Sequence, residues 1–163
     1  MESLLYSTFR GNSHTYYGQQ SEEKAVKCFE INKNIKTERC GLFISKQFPY
    51  LAASPDRVLE DRSALVEIKC PSKSQDLSPE EAVRKKIIKF CTLTDRELKL
   101  KKNHDYYFQV QGQMLVTGIS QVYFVVWTPK GINIEKIYKD EEIYVKRWQI
   151  NLADFTLAHY CPK

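Results

Sequence analysis

Residues 54–70, SPDRVLEDRSALVEIKC, decide how this chain is read. Two short apolar runs, 57–60 and 64–70, are separated by Asp61-Arg62-Ser63, a triplet suited to a hairpin turn. In a strand, residues i and i+2 share a face. Val66 and Ile68 therefore point to one side, and Glu67 and Lys69 to the other. Two opposite charges on one face of so apolar a strand are ordinarily a solvent-facing ion pair at a sheet edge. Here a third charge complicates that reading. Asp56 follows Pro55 in a constrained turn, eleven residues before Glu67. If the turn folds beside the strand, two carboxylates and one ammonium converge.

Outward from this stretch, the chain alternates helical and extended patterns. Residues 19–36 carry Ala25, Val26, Cys28, Phe29 and Ile31 at helical spacing, with Ser21 as the expected N-cap. Residues 40–45 read as a strand, and 50–53 and 57–60 flank the Ser54-Pro55-Asp56 turn. Pro79 opens PEEAVRKKIIKF, an amphipathic helix with acids first and bases last. Residues 104–118 read as a helix ending at Gly118. Residues 121–128 and 131–138 form a hairpin around Pro129-Lys130. Residues 140–160 read as a closing helix with Ile143, Trp148, Leu152 and Phe155 on its apolar side. The order α-β-β-β-α-α-β-β-α predicts an α/β fold, a sheet covered on both faces.

The bulk numbers bound the function. The 163 residues, 42% hydrophobic and 28% charged, suit a single domain with a real core. No apolar run reaches the roughly 20 residues a membrane helix needs, and no signal-peptide core follows Met1-Glu2. Five cysteines, at 28, 40, 70, 91 and 161, are an odd number without C-x-x-C spacing. They point to free thiols in a reducing intracellular compartment, nucleus or cytoplasm, rather than to disulfides or zinc. The three histidines, His14, His104 and His159, lack metal-binding spacing. Catalysis would therefore fall to carboxylates, lysine or amides. The net charge of +5 is mild, but residues 84–102 hold eight basic and two acidic residues. That run is either a solvated face or a track for a polyanion.

Two carboxylates with few histidines make a hard oxygen site, suited to Mg²⁺ or Mn²⁺. The Ile68 carbonyl would add an oxygen. Without a cation the acids would repel and one would hold its proton. Lys69, a compact point charge, would steady a hydroxide against a phosphate.

These residues resemble a known signature. Pro55-Asp56 followed by Val66-Glu67-Ile68-Lys69-Cys70-Pro71 resembles the PD-(D/E)XK nucleases, specifically the phage lambda exonuclease and YqaJ viral recombinase family. Gly18-Gln19-Gln20-Ser21-Glu22 resembles that family's G-x-x-x-E helix start, 34 residues before Asp56. Tyr106 to Met114, YYFQVQGQM, resembles its glutamine helix, and Val122 to Trp127 with Pro129 its following strand. The resemblance spans roughly residues 11–160. It implies a PD-(D/E)XK restriction-endonuclease-like core, a central mixed β-sheet flanked by helices, as one domain over 1–163.

The resemblance also implies roles. Asp56 would ligate metal and bridge where two ions bind. Glu67 and the Ile68 carbonyl would complete the main site. Glu22, preferred to Glu23 on spacing, would serve a second ion. Lys69 would activate the nucleophile, and Gln109 would hold water or orient Lys69. Helical geometry puts Gln109 and Gln113 on one face and Gln111 roughly opposite. Arg57 reads as a surface charge. Tyr16 and Tyr17 are either core or a platform for a base. Lys73 would meet a phosphate. Lys85 shares a helical face with Lys89, and the loop residues Lys99, Lys101 and Lys102 should lie near the site. The family's N-terminal W…R…(S/T)-A-S segment has no counterpart, so the chain is expected to be an excised domain or a reduced member. Arg10 and His14 lie near where that segment would join.

The implied activity is a Mg²⁺-dependent deoxyribonuclease, a 5′-to-3′ exonuclease of recombination, with two ions and DNA as partner. A binding module that keeps the fold without turnover, and an RNA-directed nuclease, are the rival readings. A homo-oligomer and a recombination partner protein belong to the same implication, though no residue pattern reads them out.

Overall fold

The computed structural model describes residues 13–95 and 97–143. Five strands form the main sheet in the order β1-β4-β5-β8-β9: β1 (Thr37–Arg39), β4 (Arg57–Leu59), β5 (Leu65–Lys69), β8 (Gln121–Thr128) and β9 (Gly131–Tyr138). β5 and β8 run parallel, and the other neighbours are antiparallel. A parallel pair needs a long crossover. Here it carries α2 (Pro79–Arg84), the β6–β7 hairpin (Cys91–Thr94 and Glu97–Leu100) and α3 (Asp105–Thr117). A second hairpin, β2–β3 (Phe43–Ile44 and Ala52–Ala53), separates β1 from β4. α1 (Ser13–Lys33) precedes the sheet, and a short α4 (Glu141–Ile143) follows it.

Strand alternation sorts the core into two layers. Val66, Ile68, Val125 and Trp127 pack with Ala25, Val26 and Phe29 of α1. Leu65, Val122, Phe124 and Val126 face the other way, onto Tyr107, Val110 and Met114 of α3 and Ala82 of α2. The sheet is therefore covered on both faces, as the sequence predicts. Glu67 falls in the α3-facing set, between Leu65 and Lys69.

Several boundaries differ from expectation. α1 begins at least as early as Ser13, so Ser21 is a buried interior residue rather than a cap. Its contact with the sheet continues the stripe of Ala25 and Phe29, and this packing carries the helix through Gly18. α1 stops where Asn34 turns left-handed at φ 53. Of the strand expected over 40–45, only Phe43–Ile44 (β2) forms; β1 lies before it, at Thr37–Arg39. α2 has the expected Pro79 start and a full capping box. Ser78 Oγ accepts from Glu81 N at 3.2 Å, and Glu81 Oε2 accepts from Ser78 N at 2.9 Å. Yet α2 ends at Arg84, with Lys86 left-handed at φ 58. The chain leaves the helix so that Ile88 and Cys91 can enter the core.

The β6–β7 hairpin replaces the loop expected there. Its signal was the alternation of Cys91 and Leu93 with threonines, and of Leu98 and Leu100 with Glu97 and Lys99. Glu135 of β9 fixes it, accepting from Leu100 N at 2.7 Å. α3 ends as predicted, at Gly118 with φ 75 and its N–H on Met114 O. Most of the expected closing helix over 140–160 lies outside the described residues.

Candidate active site

Three elements build the site. The hairpin register pairs Arg57 with Val66, which brings Asp56 to the level of Glu67. Asp56 Oδ2 accepts from Ile68 N at 2.7 Å, pinning the Pro55 turn to β5. β5 is the central strand of the sheet, and Glu67 is 2% exposed. The solvent-facing edge pair is thereby excluded, although the ion pair itself exists. Lys69 Nζ lies 2.6 Å from Glu67 Oε1.

α3 supplies the rest. Gln109 Nε2 donates to Glu67 Oε1 at 2.9 Å, and Gln109 Oε1 accepts from Lys69 Nζ at 3.3 Å. Gln113, one turn on, donates to Glu67 Oε2 at 2.7 Å. Gln111 faces away as helical geometry requires. Its amide bridges Tyr138 O and Asp140 N, tying α3 to the end of β9. Lys69 Nζ also stands 4.3 Å from the Tyr106 ring centre, a cation–π distance. Tyr106 in turn packs edge-on against Phe90.

Electrostatics separate the two glutamates of α1. Glu22 is half-buried, and its negative charge acts on Asp56 and Cys70. Glu23 points to the flank and pairs with Arg39 and Arg57, which hold its carboxyl below the usual range. Arg57 is thus not a surface charge: it is 7% exposed and bound to α1. Burial, then the charge of Glu67, raises the Asp56 carboxyl from 3.8 to about 7. Burial, with the Glu22 and Asp56 charges, pushes the Cys70 thiol up to about 12.

Among the described residues, no three carboxylate, imidazole or thiol groups close on one point as a metal cage. Both Glu67 oxygens are engaged by Lys69, Gln109 and Gln113, and Asp56 Oδ2 by Ile68 N. The donor chemistry nonetheless fits a hard divalent cation. The Asp56 carboxylate, in the turn before β4, lies level with Glu67 on the buried β5, and burial and the Glu67 charge together oppose its ionisation.

The basic residues scatter. Lys73 is exposed in the 3-10 turn Ser72–Ser74 just after β5. Lys85 caps α2, and with the helix ended there it shares no helical face with Lys89. Lys99 lies in β7, not in a loop, and pairs with Glu97 at 2.8 Å. Lys101 reaches Lys89 O at 2.6 Å, beside Phe90, whereas Lys102 turns to Asp140 at 3.6 Å. Arg10 lies outside the described residues, as do the side chains of His14 and Tyr16. Tyr17 is half-buried.

Sequence reasoning passed over Gln113 and Arg57 as site residues. For Gln113 the signal was available in its i, i+4 spacing from Gln109. For Arg57 none was, since its partner comes from another element.

The fold is that of the PD-(D/E)XK class, with Asp56, Glu67 and Lys69 at the centre of its sheet. Residues 1–120 match the model of the YqaJ-like viral recombinase domain, and the chain belongs to that family. Solved structures share the fold. An alkaline exonuclease, LHK-Exo from Laribacter hongkongensis, aligns with a TM-score of 0.67 at 21% identity, over 91% of this chain and 70% of that one. The same exonuclease was also solved in complex with dAMP. A phage-related exonuclease from Haemophilus somnus 129PT aligns with a TM-score of 0.58 at 19% identity, over 88% and 70% of the two chains. No protein with a curated description matches.

Proposed function

We propose that this chain is a divalent-metal-dependent exodeoxyribonuclease of recombination that degrades DNA in the 5′-to-3′ direction. One observation carries the reading: Glu67, buried on the central strand, is ringed by Lys69, Gln109 and Gln113, with Asp56 pinned alongside. Membership of the YqaJ-like viral recombinase domain family supports a nuclease. The exonucleases that share the fold support end-directed cleavage of DNA.

Asp56, Glu67 and the Ile68 carbonyl would hold the cation, with Glu22 serving a second one. Mg²⁺ or Mn²⁺ suits these oxygens. A bound cation would supply Lewis acidity to the reaction. The side chains do the rest. Lys69 keeps its ammonium at the phosphate side of Glu67, orients the attacking water and offsets negative charge developing on the phosphate. Gln109 fixes the direction of Lys69 Nζ through its Oε1, and the Tyr106 ring supports the same group. Gln113 holds Glu67 in one rotamer.

The test is incubation of the purified protein with 5′- or 3′-end-labelled linear duplex and with closed circular DNA, in Mg²⁺, Mn²⁺, Ca²⁺ or EDTA. Degradation of linear DNA from the 5′ end in Mg²⁺ or Mn²⁺, with none in EDTA, is expected. Asp56→Ala, Glu67→Ala and Lys69→Ala should each abolish it. Full activity in EDTA would remove the metal reading. Equal cutting of the closed circle would make the enzyme an endonuclease. Binding of DNA without cleavage in any metal would favour the binding module. Faster cleavage of RNA would reassign the substrate.

A further inference from the structure

Glu22 and Asp56 are followed in sequence by Glu23 and Arg57, and it is this second pair that bonds. Glu23 Oε1 is shared by Arg57 Nη2 of β4 and by Arg39 of β1. Those arginines are direct partners in the antiparallel register of β1 and β4. Two like charges so placed repel, and the single carboxylate from α1 offsets both. Arg57 is buried, and its Nε has no partner among the described residues. A surface bridge of two exposed side chains would fix little, but a buried guanidinium has few places to go.

Consecutive Cα atoms lie about 3.8 Å apart, so a bond between the second members confines the first. Glu22 also sits one turn before buried Val26, on the sheet-facing side of α1, and it is half-buried where Glu23 is exposed. Glu22 and Asp56 repel each other when no cation lies between them. Their approach therefore has to be enforced from outside.

We propose that the Glu23–Arg57–Arg39 clamp is a positioning device. It sets the register of α1 on the β1–β4 edge so that Glu22 stands against Asp56, and it thereby tunes affinity for the divalent cation. Glu23 and Arg57 are positioning residues that act through Glu22, with no contact to substrate. This rests on the metal-site reading given under Proposed function.

A double-mutant cycle on the 163-residue protein tests it. Mn²⁺ binding is measured by calorimetry and by the metal-dependent rise in thermal midpoint, for wild type, Glu23→Gln, Glu22→Gln and the double variant. Glu23→Gln should weaken binding about tenfold, as loss of an outer-shell partner commonly does. In the Glu22→Gln background it should cost nothing further. Wild-type affinity in Glu23→Gln overturns the clamp, and so does an equal loss in both backgrounds, which would mark a merely structural bridge. If Glu23→Gln fails to fold, Glu23→Asp keeps the charge and shortens the reach, and the same cycle applies. Absence of saturable Mn²⁺ binding by wild type would remove the site reading and the clamp with it. Wild-type binding that Glu23→Gln leaves unchanged removes the clamp alone.

Discussion

Asp56→Asn should stabilise the metal-free protein above neutral pH, although it removes a proposed metal ligand. The Asp56 carboxyl is raised from 3.8 to about 7, by burial first and then by the charge of Glu67. Its folded-state value lies above its unfolded one. The protonated group thus contributes stability that is fully present below about 3.8 and lost as pH rises through about 7. By pH 8 the ionised carboxylate destabilises the fold. The rise would be worth at most about 4 kcal/mol, and sharing among Asp56, Glu67 and Glu22, with partial exposure, reduces it to about 2 kcal/mol. Asparagine is neutral at all these pH values, and its carbonyl oxygen can still accept from Ile68 N. Thermal and urea unfolding in EDTA from pH 4 to 8.5 would measure the effect. At pH 8 the variant should melt roughly 4–8 °C higher for a chain of this size. The gap should close towards pH 4. Mn²⁺ should raise the wild-type midpoint and not that of the variant. A gap that is absent or independent of pH would refute the electrostatic reasoning.

Three further outcomes follow from the packing. Gln113→Leu leaves Glu67 Oε2 without its donor in a site 2% exposed, and should cost about 1–3 kcal/mol in chemical denaturation; an unchanged midpoint would mean that the contact has no energetic role. Lys101→Ala, beside Phe90 on the Tyr106 side, should flatten the salt dependence of DNA binding in Ca²⁺ by roughly 0.9 in log–log slope, whereas Lys102→Ala, turned to Asp140, should leave it unchanged; equal slopes for Lys101→Ala and wild type would sink the basic-track idea. Phe29→Ala, which empties a fully buried position between α1 and the sheet, should lower unfolding free energy by about 3–5 kcal/mol; a loss below about 1 kcal/mol would show that α1 packs otherwise.

The local signals in the sequence were the ones whose causes are local. Period-two alternation placed Val66 and Ile68 opposite Glu67 and Lys69. Pro79 after Ser78 opened α2, and Gly118 closed α3 because the left-handed turn there tolerates no ordinary side chain cheaply. The i, i+4 rule put Gln109 and Gln113 together and Gln111 opposite. What failed also had a physical reason. α2 ended six residues earlier than its pattern suggested because Ile88 and Cys91 gain more by entering the core than a further helical turn would give. Sequence determined the strand, the acids and the glutamine face. Only the tertiary structure decided that β5 is the central strand, which buries Glu67 and makes its three donors necessary. Only the pairing of α1 with β1 and β4 decided that Glu23 bonds Arg57 while the charge of Glu22 acts on Asp56. Adjacent residues of one type are indistinguishable by local rules, and the difference between them is set by what another element brings within reach.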